Sequence, residues 1–202
     1  MESVNIASTR ADRKAATRQA LLQAARTCFE RAGFTATTIG EITRAANVAH
    51  GTFYVHFASK EAVIDQLLRE LNLEFAGRLA SLMSPADRPL EQTVRLATER
   101  FIEHWEGRAD FVESYMQRVA SGFDRRYVAD GVNRPMLRLL AAFLEQRATQ
   151  PSAVPWELVA HGILAIALRI GLQYLFSSEV TKQQAVETIV RLTLGAIRST
   201  EC

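Results

Sequence analysis

Apolar positions recur along this chain with the 3.6-residue period of an α-helix from its first tens of residues to its end. Leu21, Ala25, Cys28, Phe29 and Ala32 share one face of a first helix, and Arg18, Gln19, Gln23, Arg26 and Glu30 take the other. Gly33 followed by Phe34 predicts the end of that helix, as a left-handed cap with an apolar residue behind it. Thr38 and Glu41 have capping-box spacing, so a short second helix is expected to start there and to bury Ile39, Ile42 and Ala45. Asn47 tolerates positive φ and marks the turn that follows. A third short helix is read through residues 51–57, beginning at Gly51 and ending at Phe57. Ser59 is the predicted N-cap of a long fourth helix that buries Ile64, Leu67, Leu68, Leu71, Phe75, Leu79 and Leu82.

The stretch from Ser84 to Pro89 is the clearest break in this pattern, and Gln150 to Pro155 is a second. Between and beyond them the periodicity predicts helices at about 90–105, 109–121, 135–149, 156–176 and 181–200. Residues 122–134 read either as a short helix or as an irregular connector, and Pro135 either as a first-turn proline or as a kink. No alternating strand pattern appears, so the expected fold is all-α.

Composition narrows the class. With 202 residues, 48% hydrophobic and 23% charged, the chain can bury a full core without disulfide staples. Ten glycines and five prolines are too few for a turn-dense β-sandwich. Cys28 and Cys202 make no disulfide or metal-ligand spacing, which fits a reducing, cytoplasmic setting. The apolar run from Leu158 to Phe176 contains His161, Arg169 and Gln173, so no membrane span is expected. No signal peptide is read at the N-terminus. Net charge is only +2, but residues 1–60 hold eight Lys or Arg against four Asp or Glu, whereas the remainder holds sixteen against eighteen. A basic N-terminal third suits a small nucleic-acid-binding module, and a solvated basic helix face would look the same.

Two short helices joined by a tight turn behind a longer one form a tri-helical unit of the DNA-reading kind. The residues include Ala24-Ala25, Phe29 and Gly33-Phe34, then the run from Thr37 to Ile42. They continue as Ala45-Ala46-Asn47-Val48, the run from Gly51 to Phe57, and Ser59-Lys60-Glu61. Over about Thr17 to Leu68 this sequence closely resembles the N-terminal domain of the TetR family of transcriptional regulators. Asn47 stands where that family usually has Gly, and Ala49 where a Ser or Thr commonly caps the recognition helix, a cap worth roughly 1 kcal/mol. The resemblance implies a helix-turn-helix DNA-binding domain with an N-terminal arm over residues 1–60 and a helical ligand-binding and dimerisation domain over 61–202. The expected function is a sequence-specific DNA-binding regulator: a repressor released from its operator by a small-molecule effector.

The residue types allow roles to be assigned within the head. Gly51 removes a side chain where the third helix would approach base edges most closely. His50 either donates to a base or phosphate or is a solvated surface histidine, and Thr52 and Tyr54 carry hydroxyls suited to phosphate oxygens. His56 reads either as a phosphate contact or as a packed structural histidine. Lys60, at a helix N-terminus, is expected to clamp a phosphate, and Thr38 offers both a cap and a hydroxyl. Arg44 adds diffuse positive charge, as do Arg13, Lys14 and Arg18, and Ala49 completes the candidate DNA-facing set. Phe53, Phe57 and Val48 are expected in the core.

The last two helices carry apolar stripes, Val159, Ile163, Ile166, Ile170 and Tyr174 on one and Val186, Ile189, Val190, Thr193, Ala196 and Ile197 on the other. The resemblance implies that they form a four-helix bundle with a two-fold mate, which an inverted-repeat operator on duplex DNA requires; the alternative is an intramolecular core. Candidate effector contacts are Phe101, His104, Trp105, Tyr115, Arg118, Phe143, His161 and Arg169. No cofactor or metal is expected. A helical enzyme is disfavoured by the lack of paired Glu-x-x-His motifs, a phosphate loop or a nucleophile elbow. A helical adaptor that binds only protein remains a competing reading, though it has no use for Gly51, Thr52, Tyr54 and Lys60 where they stand.

Overall fold

Capping boxes set where the helices of this chain begin. In the computed structural model, which describes residues 9–84, 88–120, 131, 133–148 and 152–200, Thr9 Oγ1 accepts from Asp12 N at 3.1 Å while Asp12 Oδ2 accepts from Thr9 N at 2.8 Å. This opens α1 (Arg10–Ala36). The same reciprocal pair between Thr38 and Glu41, at 3.2 and 2.8 Å, opens α2 (Ile39–Ala45). A short α3 (His50–His56) follows, and then α4 (Lys60–Met83), where Ala62 N donates to Ser59 Oγ at 3.3 Å. Beyond it run α5 (Leu90–Glu106), α6 (Ala109–Ala120), α7 (Arg134–Arg147), α8 (Trp156–Phe176) and α9 (Lys182–Thr200). There is no β-strand among the described residues, and the fold is all-α. Pro135 sits in the first turn of α7, where its missing N–H costs nothing. Most of the ambiguous stretch 122–134 lies outside the described residues.

Gly33 does not end α1. Its φ of 76° and ψ of 166° put a kink there, and the chain stays helical through Ala36. The end comes at Thr37, whose buried hydroxyl donates to Gly33 O at 2.8 Å and lies 3.1 Å from Cys28 O. Two positions expected inside are outside: Ala32 and Ala45 are exposed, while Leu22, Ala24 and Thr43 are buried in their helices instead.

The chain divides into two compact units. The first comprises Met1–Leu68 together with Asp110–Phe123, and the second Arg69–Ala109 with Asp124–Cys202. The division therefore falls inside α4 rather than at residue 60, because Val63, Ile64, Leu67 and Leu68 belong with the first unit and are all buried. The rest of that core includes Leu21, Leu22, Cys28, Phe29, Ile42 and Phe53. Helix α6 is part of the same unit: Ser114 Oγ donates to Phe29 O at 3.4 Å, and Gln117 Oε1 accepts from Thr35 N at 3.3 Å beside the kink.

In the second unit α7 packs on α8, and α9 packs on both α5 and α8. The apolar stripe of α9, Val186, Ile189, Val190, Thr193 and Ile197, is buried within this core together with Val159 and Ile163 of α8. That stripe is intramolecular, the alternative the sequence left open. A polar staple closes the same unit, with Tyr174 Oη donating to Glu106 Oε1 at 2.5 Å and Lys182 Nζ to Glu106 Oε2 at 2.9 Å.

Candidate functional site

The turn between α2 and α3 is held almost wholly by backbone. Ala46 N donates to Ile42 O at 2.9 Å, Asn47 N to Arg44 O at 3.1 Å and Val48 N to Thr43 O at 3.0 Å. Asn47 has a φ of 53°, the left-handed conformation that a short polar side chain tolerates. Phe53 then anchors α3, being wholly buried with its ring 5.8 Å from Phe57 and 5.5 Å from Tyr54.

With Phe53 facing inward, the opposite face of α3 faces solvent. Tyr54 is 55% exposed and Val55 66%, and His50 and Gly51 are exposed beside them. The His50 and Tyr54 rings meet edge to face at 5.8 Å, and a Cβ added at Gly51 would touch nothing within 4 Å. Thr52 is half-buried, and Ala49 stands at the N-cap without a side-chain hydrogen bond. Arg44 is exposed in the last turn of α2, and the exposed Thr38 hydroxyl is engaged with Glu41. His56 is half-buried, its Nδ1 has no hydrogen-bond partner among the described residues, and burial first, then Lys14 and Arg18, hold its pKa below the ordinary histidine value.

Lys60 departs from its expected role. Its Nζ donates to Phe34 O at 2.6 Å and to Thr37 O at 2.7 Å, approaches Thr35 O at 3.4 Å, and lies 4.4 Å from the Phe34 ring centre. An ammonium group has three N–H donors, and its three carbonyl partners all lie at the end of α1. Burial lowers its pKa. The side chain therefore caps the kinked helix rather than standing free to clamp a phosphate.

Among its described residues the second unit has an apolar cavity and a charged groove. The cavity measures about 60 Å³, and its wall includes Leu79, Phe101, Phe143, Ile163 and Ile189. Thr98 and Thr193 are its polar lining residues; Thr98 donates to Val94 O at 2.8 Å, and the buried Thr193 Oγ1 has no partner among the described residues. The groove measures about 400 Å³ and is lined by Phe75, Leu79, Leu82 and His104 with Arg78, Arg100, Arg108 and Glu103. Of the residues expected to meet an effector, Phe101 and Phe143 line the cavity and His104 lines the groove. Trp105 contacts the His104 ring at 4.8 Å without lining either.

His161 and Arg169 line neither feature: both are exposed on α8, and His161 Nδ1 meets Glu157 O at 2.6 Å along its own helix. The side chains of Tyr115 and Arg118 lie outside the described residues, and their helix belongs to the first unit. The arginines of the groove were missed, although Arg100, His104 and Arg108 recur at i, i+4 and i+8, a spacing that puts them on one helical face.

Residues 21–67, which span α2, α3 and most of α1, match the family model described as bacterial regulatory proteins, tetR family. Over 182 residues the chain is 30% identical to the HTH-type transcriptional repressor KstR2 of Mycolicibacterium smegmatis, covering 80% of this chain and 88% of that protein. It is 33% identical to the KstR2 of Mycobacterium tuberculosis over 112 residues, 54% of this chain and 56% of that protein. The chain thus spans about half the length of the mycobacterial relative in that second match. Among solved structures, FadR of Thermus thermophilus, a transcriptional repressor in complex with lauroyl-CoA, superposes with a TM-score of 0.74 at 21% identity, over 89% of this chain and 94% of that one. At that identity the likeness concerns the fold.

Proposed function

The chain belongs to the TetR family of bacterial regulatory proteins, and on that premise we propose that it is a transcriptional repressor whose α3 enters operator DNA. The observation that carries this reading is the outward face of α3. A seven-residue helix fixed by a wholly buried Phe53 presents Tyr54, Val55, His50 and an unobstructed Gly51 to solvent. Seven residues span about 10 Å, which suits a major groove about 12 Å wide. Gly51 lets the backbone approach base edges, Tyr54 and Thr52 supply hydroxyls for phosphate oxygens, and Arg44, Lys14 and Arg18 supply positive charge. The working set is Thr38, Arg44, Ala49, His50, Gly51, Thr52, Tyr54 and His56, without Lys60.

Two-fold operators need two such heads. A homodimer through α8 and α9 is supported by what those helices leave uncovered. On α8, Leu158 is 62% and Phe176 50% exposed, and Gly162 and Ala165 lie exposed between them. On α9, Leu192 and Gly195 are exposed. The most apolar stretch of α8 has a mean hydropathy of 1.6, yet only 28% of it is buried within the protomer. Small residues between large ones allow two helices to approach closely.

The effector of this repressor binds the second unit and favours the DNA-incompetent arrangement; tenfold loss of operator affinity needs a coupling of about 1.4 kcal/mol. The lauroyl-CoA bound by Thermus FadR makes a long-chain acyl thioester the first compound to try. Such a regulator works in the cytoplasm, and its family is one of regulators rather than enzymes. The test is a gel-shift titration against the DNA upstream of its own gene with random competitor, alongside sedimentation. A dimer that prefers an inverted repeat, with affinity falling steeply in salt, supports the reading. A monomer that binds promoter and random DNA alike removes it.

A further inference from the structure

We infer that the groove beside α5 is a binding site for a small anionic amphiphile, a molecule joining a carboxylate or phosphate head to a hydrocarbon portion. Calling that molecule the effector rests on the repressor reading; the binding site itself does not.

The groove combines the two chemistries such a molecule needs. Phe75, Leu79 and Leu82 offer it an apolar surface, and Arg78, Arg100 and Arg108 offer three guanidinium groups against the single carboxylate of Glu103. Those guanidinium groups are only lightly committed. Arg78 pairs with Glu74 at 3.1 Å and Arg100 with Glu103, both as exposed pairs along one helix, a kind that is weak and readily exchanged for a better-placed anion. Arg108 Nη1 donates to His104 O at 2.7 Å, which holds that guanidinium at the end of α5 with further donors to spare.

His104 supplies the independent sign that something is meant to bind. It is 6% exposed, lies stacked on Phe75 at 4.2 Å, and its buried Nε2 has no hydrogen-bond partner among the described residues. Native proteins leave few buried polar atoms unsatisfied. An anion seated among the arginines would bring an oxygen acceptor to this ring. Burial, and then Arg108 and Arg78, push the His104 pKa down to about 4, so the ring is neutral at pH 7 and can offer a single N–H.

Size separates the two concave features. A groove of about 400 Å³ falls within the range of small-molecule sites, roughly 300–1,000 Å³, and a cavity of about 60 Å³ does not. Leu79 is a wall of both, so a hydrocarbon chain anchored by its head in the groove lies next to the apolar cavity.

The experiment titrates the full-length protein, without DNA, with dodecyl phosphate, laurate, dodecanol and inorganic phosphate, each amphiphile below its micellar concentration. Binding is read by calorimetry and by tryptophan fluorescence in a W156F background, which leaves Trp105 beside His104 as the reporter. Dodecyl phosphate and laurate should bind roughly tenfold or more tighter than either dodecanol or inorganic phosphate, and added salt should weaken them. The double variant R78Q/R100Q should lose about tenfold for both anions with dodecanol unchanged. Equal binding of dodecanol and dodecyl phosphate by the unaltered protein overturns the inference without recourse to any variant. So does a folded R78Q/R100Q protein that binds both anions as before. Because DNA is absent, the two readings fail separately: a protein that binds the anions but no operator loses the repressor function and keeps this site, and the converse removes this site alone.

Discussion

Replacing Lys60 by Met separates a structural cap from a DNA contact, because the two roles leave different signatures. The substitution keeps the hydrocarbon stem and removes the ammonium group. In the folded chain that group makes two short hydrogen bonds, 2.6 Å to Phe34 O and 2.7 Å to Thr37 O, and sits 4.4 Å from the Phe34 ring centre. Hydrogen bonds to a charged donor contribute about 1.5–3 kcal/mol each. Part of this is offset because the ammonium is itself desolvated, as its lowered pKa indicates. The net loss should then be about 2–4 kcal/mol, a sizeable fraction of the roughly 5–15 kcal/mol that stabilises a typical fold. For a chain of this size each kcal/mol shifts the melting temperature by about 2–4 °C, so a drop of roughly 5–15 °C is expected.

The second readout is the dependence of operator affinity on salt, measured well below the melting temperature. Each phosphate contact adds about 0.9 to the slope of log affinity against log salt concentration, and losing one should flatten it by that amount. A cap predicts a large fall in Tm with an unchanged slope. If Lys60→Met melts within a degree of the parent and flattens the slope by about 0.9, then Lys60 is a phosphate clamp and the reasoning from its carbonyl partners is wrong.

Three further substitutions test other parts of the molecule. Thr38→Ala removes the hydroxyl half of the capping box that opens α2, leaving Glu41 Oε2 to accept from the backbone N–H of residue 38, and should cost about 1 kcal/mol in chemical denaturation; no loss would show that the threonine cap contributes nothing. Gly51→Ala places a methyl group in open space within a helix, so stability should hold or rise by up to about 1 kcal/mol while operator affinity falls, and undiminished affinity would mean that α3 does not approach DNA at this residue. His104→Gln tests the buried imidazole. Its folded pKa of about 4 lies below the ordinary 6.5, so the unfolded chain takes up a proton that the folded chain refuses; stability is full above pH 6.5 and falls by about 3 kcal/mol as the pH drops to 4. Denaturation midpoints at pH 7 and pH 4.5 should therefore move closer together in the variant, and an unchanged gap would show that the ring is solvated.

What the sequence reveals about this chain depends on how far apart the interacting residues lie. The start of α2, the positive φ of Asn47 and the first-turn position of Pro135 are decided within a few residues, and each is legible in the string. Lys60 is not, because its partners Phe34 and Thr37 lie 26 and 23 residues away and are reached only once α1 has kinked at Gly33. A charged residue at a helix start reads locally as a free anion clamp; the fold turns it into a cap. Helical periodicity has a related limit, since it marks which face of a helix leaves water but not what covers it. The stripe of α9 ending at Ile197 has the pattern of a dimer seam and lies inside the protomer, whereas the uncovered face of α8 includes Gly162 and Ala165, which the sequence marks by their small size rather than by the apolar stripe. His161 and Arg169 share that outward face, so these polar residues that interrupt α8 do not line the apolar cavity. An apolar helix keeps such polar residues without cost to its packing because they lie on the face that the protomer's own core leaves uncovered.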